Sequence, residues 1–201
     1  MTQGVPYAFG PEKRLFDIGF AGLFLPVAYG ARTLLSHTLK DMSVPDNNPD
    51  FYQERSGVNR EPFGLHKLRT LNSETGEPLN RLAEFMRKNG IDETIQARQV
   101  WRGVMSAVGR RPVQPREEEA ILSNGSPKLV AQYERIVLPT KTGMIDSFCI
   151  LNHSSPNKIE TMIANADLKL EMNIEDVLRG SWLNDASIFA TALRAAAQGR
   201  L

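Results

Sequence analysis

Hydrophobic and polar positions divide the chain into an apolar N-terminal stretch and a longer region where short helical patterns alternate with turn-rich segments. Apolar residues dominate from Leu15 to Leu35 (LFDIGFAGLFLPVAYGARTLL). The unbroken part, Ile18 to Tyr29, is about a dozen residues, shorter than the ~20 that a bilayer-crossing helix needs. Pro26 falls inside it, where a proline removes a backbone donor and bends a helix. Lys13, Arg14, Arg32 and Lys40 flank both ends, so both ends favour the same anionic membrane face. The residues are compatible with a bent helix that enters one leaflet and returns, but a run of this length is more often a buried, proline-kinked core helix. A cleaved signal is not expected, because no small-residue cleavage site follows the apolar stretch.

Asp41 to Asp50 (DMSVPDNNPD) is polar, holds two prolines and has no periodicity, which predicts a surface connector. Residues 1–45 therefore form one expected unit, helix plus connector, and residues 46–201 another. Phe51 to Thr70 predicts short strands or a hairpin with turns near Gly57 and Pro62. Pro78 to Asn89 carries Leu79, Leu82, Phe85 and Met86 at helical spacing, with Gly90 as terminator, and a further helix is expected near Asp92. Pro115 followed by Glu117, Glu118 and Glu119 opens another helix, and Ile174 to about Gln198 is helical by pattern. The predicted fold class is mainly α with a little β, an α+β protein.

A length of 201 residues suits one domain with its own core. Lys and Arg number 24 against 23 Asp and Glu, which argues against a nucleic-acid binder held by bulk charge, so any anion site must be local. The single Cys149 cannot form an internal disulfide, and no Cys/His spacing suggests zinc, which fits a cytosol-facing protein. His37, His66 and His153 share no ligand spacing and are read as structural or exposed.

The local chemistry centres on Asp92 and Glu93. A helix beginning after Gly90 would put Asp92 at or next to its N-cap, where free N–H groups attract phosphate while the adjacent carboxylates offer hard oxygen ligands to Mg²⁺. One carboxylate could attack phosphorus while its neighbour anchors the metal. An Asp-Glu pair at a helix start is more often only a cap. Arg110 and Arg111, held before Pro112, present two guanidiniums suited to phosphate. Lys67 and Arg69 alternate across Leu68, so on a strand both share one face. Each of these basic pairs, alone, is more often a solvated surface.

Read in order, these segments resemble the bacterial sugar transferases, monotopic phosphoglycosyl transferases that begin polyprenyl-linked glycan assembly. The resemblance runs through most of Lys13 to Pro112. Its first block is Lys13-Arg14, Phe16-Asp17-Ile18 and an apolar run broken by Pro26. The second is Phe51, Gln53-Glu54-Arg55, Gly57, Asn59, Pro62-Phe63, Lys67 and Arg69-Thr70. The third, and most specific, is Asp92-Glu93, Gln96, Val100, Gly103, Met105-Ser106, Val108-Gly109 and Arg111-Pro112. The chain departs from the family pattern at Thr94-Ile95, Val104, Arg110 and Leu25, and beyond Pro112 only Pro139 to Gly143 faintly resembles it.

The resemblance implies a re-entrant membrane helix kinked at Pro26, with a small cytosolic catalytic domain on the cytoplasmic face of a bacterial inner membrane. It implies transfer of a sugar 1-phosphate from a nucleotide diphosphate sugar to a polyprenyl phosphate through a covalent intermediate on Asp92. Mg²⁺ would be held by Asp92 and Glu93, with Lys67, Arg69 and Arg111 near the phosphates; Arg110 joins them as a phosphate-binding candidate on its position beside Arg111. The expected partners are those two substrates and the membrane, with no nucleic acid, and homo-oligomerisation is left open. Two rivals stand beside this reading. One is a catalytically silent relative that scaffolds glycan-assembly enzymes at the membrane; the other is a soluble interaction or RNA-binding module using Gln53 to Arg69.

Overall fold

The computed structural model describes residues 4–40, 48–152 and 158–197. Residues 41–47 of the expected Asp41 to Asp50 connector, His153 and Gln198 lie outside them. A short helix α1 (Gly4–Ala8) leads into α2 (Pro11–Lys40), which begins on a proline, the residue best tolerated in a first helical turn. At 1.5 Å per residue α2 is about 45 Å long. Pro26 lies inside this single continuous helix. The apolar run therefore does not set the helix length, and by length and composition α2 could cross a membrane.

The expected hairpin is present. Strand β1 (Asp50–Ser56) pairs antiparallel with β2 (Pro62–Leu68) in a register that sets Phe51 opposite Lys67 and Arg55 opposite Phe63. Helix α3 (Arg81–Lys88) is shorter than the pattern predicts at both ends. The Leu79 N–H is drawn off to the Thr70 carbonyl, and the Asn80 side chain caps the helix by accepting from the Ala83 N–H at 2.8 Å. Gly90 then takes a left-handed conformation (φ 65°) that few other residues adopt without strain. It is itself the N-cap of a 3₁₀ turn over Ile91–Gln96, so Asp92 is the second residue of that turn rather than its cap.

The turn continues into α4 (Ala97–Trp101). Strand β3 (Ser106–Val108) then runs parallel to β4 (Gly143–Ile145), a pairing without a local signature. Between them lie α5 (Pro115–Asn124), where the Gln114 N–H is capped by Glu117 at 2.7 Å, and α6 (Pro127–Ile136). After β4 come α7 (Ser147–Leu151), α8 (Lys158–Ala164), α9 (Ala166–Leu178) and α10 (Trp182–Ala197). The expected C-terminal helix is thus two, broken at Arg179 to Ser181. The result is mainly helical with two small strand pairs.

Three apolar clusters hold these elements. Tyr133, Val137, Phe148, Leu170 and Ile174 unite the C-terminal helices. Leu35 and Leu39 of α2 pack with Leu68, Met86 and Ile95, which seats the 3₁₀ turn against hairpin and helix. Phe20 and Ala21 join Leu65, Val100, Met105 and Ala107. Asp17 pins α2 to β3: its buried carboxylate accepts from the Ser106 hydroxyl and the Ala107 N–H, both at 2.8 Å. Asp50 does the same for the hairpin, accepting from the Arg32 fork and meeting His66 Nε2 at 2.8 Å.

Candidate active site

Three elements converge on Glu93. From β2, Lys67 Nζ donates to Glu93 Oε1 at 2.8 Å. From the turn after β3, Arg111 Nη2 reaches both carboxylate oxygens, at 2.9 and 3.1 Å. The 3₁₀ turn is held to the hairpin through α4, where the Gln99 amide accepts from the His66 N–H (2.9 Å) and donates to the Gly64 carbonyl (2.8 Å). Burial opposes ionisation of Glu93, but Arg111 and Lys67 outweigh it and keep the carboxyl well below the usual carboxylate range.

Asp92 meets the opposite balance. Its side chain is buried, and desolvation together with the neighbouring Glu93 charge pushes its pKa up to about 6, against partial relief from Lys67 and Arg87. It does not line the recess of about 20 Å³ between hairpin, turn and Arg111; Lys67, Glu93, Arg111, Arg55 and Gln96 do. That volume admits one oxygen-sized group.

Arg111 is fixed from behind. Its N–H donates to Asp146 Oδ2 at 2.9 Å, and this buried carboxylate also accepts from Asn173 (3.0 Å) and from Lys169, 3.4 Å away, both on α9. Burial alone would raise the Asp146 pKa, but Lys169 and the N–H donors lower it.

The structure therefore brings Lys67, Glu93 and Arg111 into contact, with Asp92 adjacent. Arg69 is nearby: its guanidinium lies 5.5 Å from the Phe51 ring, on the face that carries Lys67, and it donates to the Asn48 carbonyl. Arg110 is not brought to this cluster. It is buried, its fork pairs with Glu118 (2.8 Å) and the Gly57 carbonyl, and it lines a different cavity. In an extended chain successive side chains point to opposite sides, and here Arg111 faces Glu93 while Arg110 does not. His66 is buried and structural, with its pKa lowered by burial, and His37 is exposed.

The other cavity, about 350 Å³, is lined by residues of α1, α2, α9 and α10 that include Tyr7, Lys13, Asp17, Asp176 and Asp185. It is the larger of the two, yet none of Lys67, Asp92, Glu93 and Arg111 lines it, so the small recess carries the candidate chemistry. Two recess residues, Arg55 and Gln96, stand within the matching blocks of the sequence, but no charge pair or spacing there marks them as site residues. Asp146 reads locally only as the N-cap of α7, accepting from the Cys149 N–H at 3.0 Å; its contacts with Arg111, Lys169 and Asn173 come from residues far along the chain.

The α+β domain with its apolar N-terminal helix thus holds adjacent carboxylates beside a Lys–Arg clamp, a set of side chains whose chemistry suits phosphate. The chain belongs to the bacterial sugar transferase family, whose profile matches residues 9–199. It is 34% identical over 115 residues to a provisionally named undecaprenyl-phosphate N-acetylgalactosaminyl 1-phosphate transferase of Bacillus subtilis (strain 168), a match covering 51% of this chain and 63% of that one. It is 32% identical over 111 residues to the uncharacterised sugar transferase EpsL of the same organism, covering 50% and 54%. Over 117 residues it is 32% identical to an undecaprenyl-phosphate glucose phosphotransferase of Komagataeibacter xylinus, covering 52% and 21%. In each case the match spans less than two-thirds of the relative's own length.

Proposed function

We propose that this chain is a phosphoglycosyl transferase that moves a sugar 1-phosphate from a nucleotide diphosphate sugar to a polyprenyl phosphate at the cytoplasmic face of a bacterial inner membrane. The observation that carries this reading is the Lys67–Glu93–Arg111 cluster beside Asp92, in a family whose named relatives act on undecaprenyl phosphate.

In the first half-reaction an Asp92 oxygen attacks the sugar-bearing phosphorus. An acyl-phosphate P–O bond forms, the diphosphate P–O bond breaks, and the electron pair leaves with the nucleoside monophosphate. Desolvation suits this role: with a pKa near 6 the carboxylate is ionised at neutral pH yet poorly hydrated, and so more basic than an exposed aspartate. Lys67 and Arg111 orient the phosphates and offset their charge. In the second half-reaction an oxygen of the lipid phosphate attacks the same phosphorus, which frees Asp92 and leaves a lipid diphosphate sugar.

Mg²⁺ fits this donor set. Among the described residues no three His, Cys, Asp or Glu side chains gather into a metal site of their own, whereas Mg²⁺ commonly takes one or two carboxylates and completes its shell with water and substrate phosphates. Asp92 and Glu93 would hold it, and when bound it would neutralise charge on the diphosphate.

The experiment is a screen of nucleotide sugars against the membrane-embedded protein, read as nucleoside monophosphate release. With the right donor and no lipid acceptor, about one equivalent should be released and the protein should gain the mass of the sugar phosphate, as a covalent two-step route requires. Asp92→Asn should lose both signals. An adduct that persists in Asp92→Asn, or release only when both substrates are present, would replace the covalent route with direct transfer.

A further inference from the structure

The recess holds two groups that the mechanism above leaves without a task. Arg55 projects into it from β1, and only its Nη2 is used, donating to Gln53 Oε1 at 2.7 Å. Its Nε and Nη1 are buried and make no hydrogen bond. The nearest carboxylate, Glu117, is 3.7 Å from Nη1 and is already engaged by the Gln114 N–H. Gln96 enters from the 3₁₀ turn; it is 2% exposed, and its Nε2 is also buried without a partner. Buried donors in folded proteins are almost always satisfied, so orphaned donors that line one recess point to an acceptor that belongs there.

Charge narrows what that acceptor is. Arg55, Lys67 and Arg111 line the recess against the single carboxylate of Glu93. A neutral oxygen would satisfy the donors and leave the excess positive charge, whereas a phosphoryl oxygen answers both. The space of about 20 Å³ suits one such atom.

We infer that Arg55, seconded by Gln96, is a phosphate-binding residue whose free guanidinium hydrogens receive a non-bridging oxygen of the donor's diphosphate. This rests on the reading of the site as a diphosphate site. Lys67 and Arg111 are shared with Glu93, so Arg55 is the cation of the recess least committed to a carboxylate. Its chief effect is on donor binding.

The test titrates inorganic pyrophosphate with Mg²⁺ into the full chain in nanodiscs, by calorimetry. Arg55→Gln should weaken binding about tenfold or more, the range for hydrogen bonds to charged groups. Gln96→Leu should weaken it less, and Arg60→Gln, on an exposed pair with Glu134 outside the recess, should leave it unchanged. In turnover, Arg55→Gln should raise KM for the donor more than it lowers kcat. Arg55→Lys keeps the charge and loses the fork, so it should fall between, and it serves if Arg55→Gln does not fold. Wild-type affinity in a folded Arg55→Gln or Arg55→Lys variant overturns the inference, as does wild type that binds no pyrophosphate at millimolar concentration. If no nucleotide sugar is turned over while pyrophosphate binding still depends on Arg55, the transferase reading fails and the anion subsite stands. Turnover that is indifferent to Arg55 rejects the subsite alone.

Discussion

Adjacent carboxylates at 92 and 93 meet different surroundings, and the difference divides their roles. Glu93 is ionised and clamped by two cations, while Asp92 is buried with a pKa raised to about 6. A carboxyl whose pKa is higher folded than unfolded binds its proton more tightly in the native state. Its protonation therefore supports folding fully below about pH 4, and that support is lost as pH rises through about 6. Asp92→Asn should accordingly be more stable than wild type above pH 6, by about 2–3 kcal/mol, and equal to it near pH 4. Chemical denaturation in magnesium-free buffer at both pH values checks this, and an equal gain at pH 4 would refute the shift. Arg111→Ala, which removes the clamp on both Glu93 oxygens, should lower kcat/KM by about 10-fold or more. An unchanged value in a folded variant would take Arg111 out of the site. The sequence presents Arg110 and Arg111 as equals; only the path of the backbone after β3, with Glu118 on one side and Glu93 on the other, separates a structural ion pair from a site residue.

Among the elements, those with local signals were legible and those made by distant contacts were not. The hairpin, α3 and the turn at Asp92 follow from alternation, helical spacing, Gly90 and acidic residues, each within a short stretch. Their ends were misplaced where a tertiary hydrogen bond, such as Leu79 to Thr70, competes with helix propensity. The parallel pair β3–β4 joins two three-residue strands and has no period to read. Its requirement appears at Gly143, where a Cβ would lie 2.2 Å from the Gly109 nitrogen and 2.7 Å from its Cα and carbonyl oxygen. Backbone cannot move aside as a side chain can, so Gly143→Ala should cost about 3 kcal/mol in urea unfolding. Gly30→Ala, on an open face of α2, should be neutral or slightly stabilising. Because Gly143 lines the recess, the same change should also weaken the site, whereas Gly30→Ala should leave it intact.

At the scale of the whole molecule, α2 has two apolar sides, and only one is used by the domain. Asp17, Phe20, Ala28, Leu35 and Leu39 face inward and are buried along its length. Lys13 and Arg14 near its start bind Asp185 and the Val100 and Trp101 carbonyls, while Arg32 near its end binds Asp50. The other side exposes Leu15 (68%), Leu23 (65%), Val27 (55%) and Leu34 (53%), and no Asp, Glu, Lys or Arg is among the exposed residues from Leu15 to His37. In water a face like this would carry charge, so it is expected to meet lipid. Because both ends of α2 are bound to the same domain, a straight crossing would drag that domain into the bilayer, and burial of the outer face in one leaflet is the arrangement that satisfies both sides. Two measurements check this. The double variant Leu23→Lys, Val27→Lys should move from the membrane to the soluble fraction while its unfolding midpoint changes little, since neither side chain packs in the core. Cysteines placed at the exposed positions Glu12 and His37 should both label from the cytoplasmic side. Labelling from opposite sides would establish a crossing and would require α2 to part from the domain at one end; unchanged membrane association in the double lysine variant would place the lipid contact elsewhere.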